Sequence, residues 1–248
     1  MKLLNKFFIG IVVLLCISAT TQAQNLTIDL SSPGKGTGSG TVRISDPSTA
    51  GNKKGTGLTY ADIDGSPYWT DNWNAAYLYY KNGNIYKLAK AKLNLYATEV
   101  LYVNSQEVEL VAETNMVDKV VFIDKADTTK TLGVFVVLPD FIENKGSAFC
   151  KVFNSGALQL ILMEKILVKV SPFDPLTGKN STNFLNKNNY AIYNSGKITA
   201  IKGIDRTSVL SAIPYDATVE NWLKENKNKL KSEADVVNLL NYYNGMHK

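Results

Sequence analysis

Strict alternation of apolar and polar residues near the middle of the chain is the feature that most constrains the fold. Alanine or leucine occupies every second position, and lysine or asparagine stands between: Ala89, Lys90, Ala91, Lys92, Leu93, Asn94 and Leu95. A two-residue period is typical of a strand with one face in a core and one in water. Further strand-like runs follow as far as residue 138. The pattern predicts an antiparallel sheet with one wet side.

Short turn sequences between the apolar runs predict how the strands connect. An Asn-Gly pair at 82–83 separates two aromatic-rich strands, and Asn-Ser-Gly occurs at 154–156 and again at 194–196. Asparagine and glycine tolerate the positive φ angles of tight hairpins. We expect residues 171–189, which are polar and rich in asparagine, to form a long surface loop between the last two hairpins.

The hydrophobic period changes near the carboxyl end. Val219, Trp222 and Leu223 recur at helical spacing after Asp216, and Ser232 opens a capping-box sequence ahead of an apolar run. A shorter helix at about 207–213 precedes them and stops at Pro214. The predicted class is therefore α+β. It has a strand-rich part over 75–202, an antiparallel meander of six to nine strands that could be curved, and two to three helices within 205–244.

The amino terminus predicts export. Lys2 and Lys6 precede an apolar run at 7–17, and a small residue, Ala23, ends the segment, as in a cleavable signal peptide. A retained anchor is the alternative, but the run is short for a bilayer core of about 30 Å. We expect a signal peptide at 1–23, a flexible Gly/Ser-rich arm at 24–60 and one α+β domain at 61–248. The mature protein is then secreted, either periplasmic or extracellular, with no transmembrane span.

Charge and scarce nucleophiles narrow the function classes. The formal charge of +5 falls to +3 without Lys2 and Lys6, too small to indicate a nucleic-acid partner. Cys150 is the only cysteine after the signal, so no intrachain disulfide is expected, and a buried, inert thiol is predicted. The only histidine, His247, is next to last. This disfavours Ser-His or Cys-His catalysis and histidine-ligated metals. We predict no cofactor and no enzyme.

Carboxylates leave one enzymatic alternative open. Glu107 and Glu109 project from one predicted strand, and Asp118 or Asp124 could approach them. A glycosidase needs two such groups at a defined separation in a cleft.

Carboxylates around Gly65 resemble the middle of a calcium loop. Asp62, Asp64 and Asp71 fall at ligand positions of that loop, but its first ligand and its closing glutamate are missing. The alternative is a solvated Asp-Gly turn. No metal site is predicted, and calcium stays an open question for these three residues.

Aromatic density after this turn predicts a ligand surface. Six aromatic residues fall within positions 68–80, and five of them form the candidate site: Tyr68, Trp69, Trp73, Tyr77 and Tyr79. Such rings stack on sugars or line apolar grooves. The alternative is that they pack at the edge of a core, where tyrosine and tryptophan bury much apolar area.

Three short motifs carry a resemblance to a known group. Gly-Ser-Pro-Tyr at 65–68, Leu-Asn-Leu-Tyr at 93–96 and Asn-Leu-Leu-Asn-Tyr-Tyr-Asn at 238–244 resemble sequences of uncharacterised exported proteins of Bacteroidetes-type bacteria. The resemblance covers most of the chain from about residue 65. It implies an envelope or secreted protein and assigns no activity to any residue.

These observations favour an exported, non-enzymatic binding or structural module of the envelope. Its partner is an envelope component or an apolar or saccharide ligand. A periplasmic carrier of a lipid or other apolar ligand is the first alternative, and it requires unfilled apolar space on a curved sheet. A carboxylate-based hydrolase is the second.

Overall fold

The computed structural model describes the backbone of residues 27–29 and the ranges 60–171 and 181–247, apart from the side chain of Asp62. The predicted signal segment and most of the predicted arm lie outside these residues.

Eleven strands in the described part of the chain form one sheet. Their bounds are β1 Thr27–Asp29, β2 Asn74–Tyr80, β3 Ile85–Asn94, β4 Glu99–Val103, β5 Glu109–Val111, β6 Val117–Ile123, β7 Thr131–Pro139, β8 Ser147–Val152, β9 Leu158–Val170, β10 Thr182–Asn194 and β11 Lys197–Ile201. Ten of them pair antiparallel in the order β11-β10-β9-β8-β7-β6-β2-β3-β4-β5, and β1 lies parallel to β3. The predicted antiparallel α+β fold is confirmed, with slightly more strands than expected.

The sheet curls on itself. β10 stands six places from β3 in the strand order, yet the Phe184 ring of β10 lies 5.5 Å from the ring of Tyr96, which follows β3. Tyr60 completes this contact, with its ring centre 5.8 Å from that of Phe184. We call the side of the sheet that carries Phe184 the inner face and the opposite side the outer face.

An extra residue in β3 changes part of the predicted alternation. Ala76 pairs with Leu88 and Asn74 pairs with Ala91, so three steps on β3 oppose two on β2. The extra residue turns Ala89 outward and exposes it, while Leu88 and Ala91 are both buried. The prediction that Ala89 shares a face with Ala91 is therefore wrong, because a bulge shifts the register by one residue.

The backbones of two of the sequence motifs, those at 65–68 and 93–96, lie side by side and are joined by hydrogen bonds. Pro67 O accepts a hydrogen bond from Leu95 N, and Leu93 O accepts one from Trp69 N, each at 2.9 Å. Asn94 is fully buried, and its side-chain oxygen accepts from the backbone of the following turn, at 2.9 Å from Ala97 N. These motifs hold the segment before β2 against the end of β3.

Three α-helices of residues 181–247 cover the inner face at the other end of the sheet. They are α1 Arg206–Ser211, α2 Ala217–Glu225 and α3 Glu233–Met246. Asp205, Asp216 and Ser232 cap their first turns by accepting from backbone N–H groups, as expected of N-caps. Aliphatic strand residues, among them Leu160 of β9 and Ile192 of β10, pack against Leu223 of α2 and Leu239 and Leu240 of α3. We call this cluster the helix-covered core. None of the helices in the described ranges is long and apolar enough to cross a membrane.

The predicted surface loop at 171–189 is wrong over 182–189, and its residues 172–180 lie outside the described residues. Residues 182–189 belong to β10 and pair along the whole length of β9. Four successive positions, 185–188, are exposed and polar apart from Leu185, and Phe184 alone is buried among 182–189. Polarity here reflects a strand with little burial rather than irregular structure.

Cys150 is buried, as predicted. Its side chain is fully excluded from solvent on the outer face, where it packs with Ile161 and Met163 in a small apolar cluster. Burial raises the pKa of its thiol to about 12. The thiol is therefore uncharged at neutral pH, as an inert cysteine should be.

Candidate functional site

The candidate site is built around Lys92 on the outer face of β3. Its ammonium nitrogen lies 4.9 Å from the ring centre of Tyr68 and 4.9 Å from that of Trp73. Tyr68 is held there because its backbone bridges to Asn94, two residues along β3. Trp73 immediately precedes β2. A cation between two ring faces is a favourable electrostatic arrangement.

Two further tyrosines continue this surface along β2. Tyr77 and Tyr79 are two positions apart and therefore share a face, since the buried Ala76 and Leu78 point the other way. Tyr77 pairs with Lys87 of β3, and Lys119 of β6 lies 4.1 Å above the Tyr79 ring. We call the whole set the aromatic–lysine strip: Tyr68, Trp73, Tyr77, Tyr79, Lys87, Lys92 and Lys119.

A surface depression of about 510 Å³ adjoins the Tyr79 end of the strip. Its walls are Tyr79, Tyr80, Lys81, Gly83, Ile85 and Asp118. Lys81 is fixed there because its ammonium group donates to Asn115 O at 2.7 Å. Asp118 is exposed and supplies a carboxylate acceptor at the rim. The depression thus combines an aromatic wall with hydrogen-bonding groups of both kinds.

Electrostatics keep the Tyr68 hydroxyl neutral. Burial and then the nearby Glu109 carboxylate raise the pKa of Tyr68 to about 12. Burial also raises the pKa of Glu109, against the opposing charge of Lys92. Tyr68 therefore remains able both to donate and to accept a hydrogen bond at neutral pH. Flat ring faces with mixed donors and acceptors suit a sugar, whose C–H face stacks while its hydroxyls bond.

Trp69 is separated from the other four predicted site residues. It lies on the inner face, with its ring 4.9 Å from Phe135 and 5.2 Å from Phe122. Gly133 allows this close approach, because a Cβ there would come within 3.0 Å of the indole. Trp69 is half-buried and packs against the cluster that contains Phe122 and Phe135, which we call the aromatic core. The structure brings Tyr68 and Trp73 together around Lys92 without Trp69.

The acidic residues considered for calcium have other roles where they are described. Asp64 pairs through its backbone with Asn183, and the Asp71 carboxylate accepts from the Ser66 hydroxyl. The side chain of Asp62 lies outside the described residues. Among the side chains that are described, no group of three or more metal-ligating residues comes together.

The prediction that Glu107 and Glu109 project from one strand is wrong, because β5 begins at Glu109 and Glu107 lies in the turn before it. The carboxylates considered for hydrolysis have separate partners. Glu107 pairs with Lys90 at 2.7 Å, Asp124 with Lys130 at 3.5 Å, and Glu109 lies near Lys92. Asp118 lies at the Tyr79 depression.

Two buried carboxylates were missed by the sequence reasoning. Glu99 and Glu164 each bury one carboxylate oxygen that has no hydrogen-bond partner within the described part of the chain. Burial raises the pKa of both groups. Glu164 lies near Glu233 and Tyr190, which are 69 and 26 positions away in the sequence. No local pattern marks these residues, because their surroundings come from strands and a helix that are remote in sequence.

Comparison with protein-family models, curated proteins and solved structures finds no match to this chain.

Proposed function

We propose that this chain is an exported, non-enzymatic binding module whose ligand is a saccharide chain held along the aromatic–lysine strip. The observation that carries the proposal is the placement of Lys92 between Tyr68 and Trp73, at 4.9 Å from each ring centre. It puts ammonium donors beside ring faces on the outer side of the sheet. Export rests on the amino-terminal sequence and on the resemblance to exported proteins.

The shape of the strip supports an extended ligand. Tyr77 and Tyr79 follow Trp73 along one strand, where equivalent positions are separated by about 7 Å. Such a spacing suits successive rings of a chain better than one compact molecule. Lys87 and Lys119 flank these tyrosines through strand pairing and can donate to hydroxyl or carboxylate oxygens.

The inner face gives less support to a lipid carrier. A carrier requires apolar side chains left uncovered on the concave side. The large inner-face residues Leu78, Phe122 and Phe135 are fully buried against one another and against Trp69. We therefore place the ligand on the outer face, and we assign no catalytic role to the dispersed carboxylates.

Affinity electrophoresis in native gels tests the proposal. The purified protein is run in gels containing dextran, laminarin, xylan or polygalacturonate. We expect at least one polymer to retard it, and we expect Trp73→Ala with Tyr79→Ala to remove the retardation. Each aromatic ring that stacks on a ligand contributes on the order of 1 kcal/mol, or several-fold in affinity.

The aromatic substitutions preserve net charge, which separates specific binding from attraction of a basic protein to a polyanion. Tyr215→Ala is the matched control, because Tyr215 is an exposed tyrosine two positions before α2, and its hydroxyl donates a hydrogen bond to Glu220. It should bind as the unmodified protein does. Retardation by none of the four polymers, or retardation that survives the double substitution, contradicts the proposal.

A further inference from the structure

A second polar cluster lies where the sheet meets α3. On the inner face, Lys151 of β8, Leu162 of β9 and Tyr190 of β10 are cross-strand neighbours. Glu164 lies two positions beyond Leu162 on the same face of β9. Glu233, the first residue of α3, reaches this row from the helical layer. Charged groups thus come together between the aromatic core and the helix-covered core.

One hydrogen bond ties the helix to the sheet in this cluster. The Tyr190 hydroxyl donates to Glu233 Oε1 at 2.6 Å. Burial and the Glu233 hydrogen bond raise the pKa of Tyr190 to about 12, so that its hydroxyl remains a donor at neutral pH. Glu233 also lies in the first turn of α3, where the helix dipole favours a negative charge. The Glu233 side chain is therefore the acceptor of the bond that joins α3 to the sheet.

Glu164 has no comparable support. Its Oε2 is buried and has no hydrogen-bond partner among the described residues. The ammonium group of Lys151 lies 5.1 Å from the Phe153 ring and 6.0 Å from the Trp69 ring. Within the described ranges, Lys151 forms no ion pair with either glutamate at 4.0 Å or less. An ionised carboxylate with a buried, unpaired oxygen is costly.

The charges facing Glu164 are Lys151 from β8 and Glu233 from α3, with the neutral Tyr190 from β10. Burial is the largest influence and raises the pKa of Glu164. Lys151 opposes this rise, and Glu233 adds to it. The ionised form of Glu164 therefore repels the residue that begins α3.

We infer that the Glu164–Tyr190–Glu233 cluster is a pH-sensitive contact that holds the first turn of α3 more tightly to the sheet in acid than at neutral pH. The direction of this pH effect follows from the linkage between proton binding and folding. A carboxyl group with a raised pKa in the folded state binds its proton more strongly when folded, so stability increases as pH falls through that pKa toward 4.5. As pH rises above the folded pKa, the stabilisation is lost. This contact lies apart from the aromatic–lysine strip and does not depend on saccharide binding.

Amide hydrogen exchange at the first turn of α3 tests the inference. Exchange of the whole chain is measured at about pH 5 and about pH 8 and corrected for intrinsic rates, which isolates local opening. We expect less opening at the acidic pH, by about tenfold for each pH unit by which the closed first turn, rather than the rest of the fold, raises the pKa of Glu164. Glu164→Gln should remove this pH difference, because glutamine is uncharged at both values.

Glu99→Gln is the matched control, since among the described residues Glu99 is the other glutamate with a buried, unpaired oxygen, and it lies at the start of β4. It should leave the pH response of α3 unchanged. Glu233→Gln is a second variant, and it should reduce the response by removing the charge that faces Glu164. The inference is overturned if α3 opens equally at both pH values, or if Glu164→Gln keeps the response of the unmodified protein.

Discussion

Trp69 and Trp73 stand four residues apart in one aromatic segment, yet they lie on opposite faces of the sheet. Trp69 packs on Phe122 and Phe135 over Gly133 in the aromatic core. Trp73 lies beside Lys92 on the outer face. The comparison teaches that one dense aromatic segment can supply rings to both faces of a sheet. Which role a ring takes depends on the strand face that the backbone presents.

The largest expected effect is a difference in protein stability between variants that lack Trp69 and variants that lack Trp73. Trp69→Ala should lower the free energy of unfolding by about 3–5 kcal/mol, because it leaves a cavity between β6 and β7. Trp73→Ala should lower it by about 1 kcal/mol or less, because only a cation–ring contact is lost. Urea unfolding followed by circular dichroism measures both. Equal losses of stability would erase the distinction between the two faces.

Gly133 tests the inner side of the comparison. Gly133→Ala places a methyl group 3.0 Å from the Trp69 indole and 3.0 Å from the Phe135 ring. Overpacking of this kind costs about 1–3 kcal/mol. In a Trp69→Phe background, the same change should cost less, since the smaller ring leaves room and the two sites are coupled. Gly203→Ala is the control, because its nearest neighbour is a carboxylate oxygen at 4.0 Å. If the losses of unfolding free energy from Gly133→Ala and Trp69→Phe simply added in the double variant, the two residues would not be in contact.

Lys92 tests the outer side, with the smallest effect on stability. Lys92→Met keeps most of the aliphatic chain and should change the free energy of unfolding by about 1 kcal/mol or less. It should further raise the pKa of Glu109, because the charge of Lys92 now opposes that rise. Carboxyl titration by NMR measures this pKa. Lys87→Met is the matched control on the same strand face. A Glu109 pKa that responds equally to both variants would mean that Lys92 has no special position.

Much of the fold could be predicted because its signals are local. The Asn-Gly turn at 82–83, the Asn-Ser-Gly turns and the caps at Asp216 and Ser232 each act within a few residues. The extra residue in β3 was not visible in the alternation around Ala89, because a bulge is defined by the partner strand. The first half of β10 was predicted as a loop because its sequence is polar. The polarity arises because this part of the strand is exposed, and its backbone is regular.

The candidate site could be predicted only in part. The aromatic residues were evident, and four of the five proposed positions lie on the strip. Their lysine neighbours were not predicted, because Lys92 and Lys119 come from strands that the sequence alone does not order. Trp69 was grouped with the other aromatic residues because the sequence of this short segment does not show on which face of the sheet each ring lies. The burial of Glu164 could not be predicted at all, because the residues around it come from β8, β10 and α3, which are remote in sequence.

Single-tryptophan proteins test the central claim most directly, because the chain has three tryptophans, Trp69, Trp73 and Trp222. Two are replaced by phenylalanine in each protein, and fluorescence is recorded during titration with dextran, laminarin, xylan and polygalacturonate. The account predicts that the protein retaining Trp73 changes its emission with at least one polymer. The proteins retaining Trp69 or Trp222 should change with none. A silent Trp73, or a response confined to Trp69 or Trp222, would contradict a saccharide surface on the outer face.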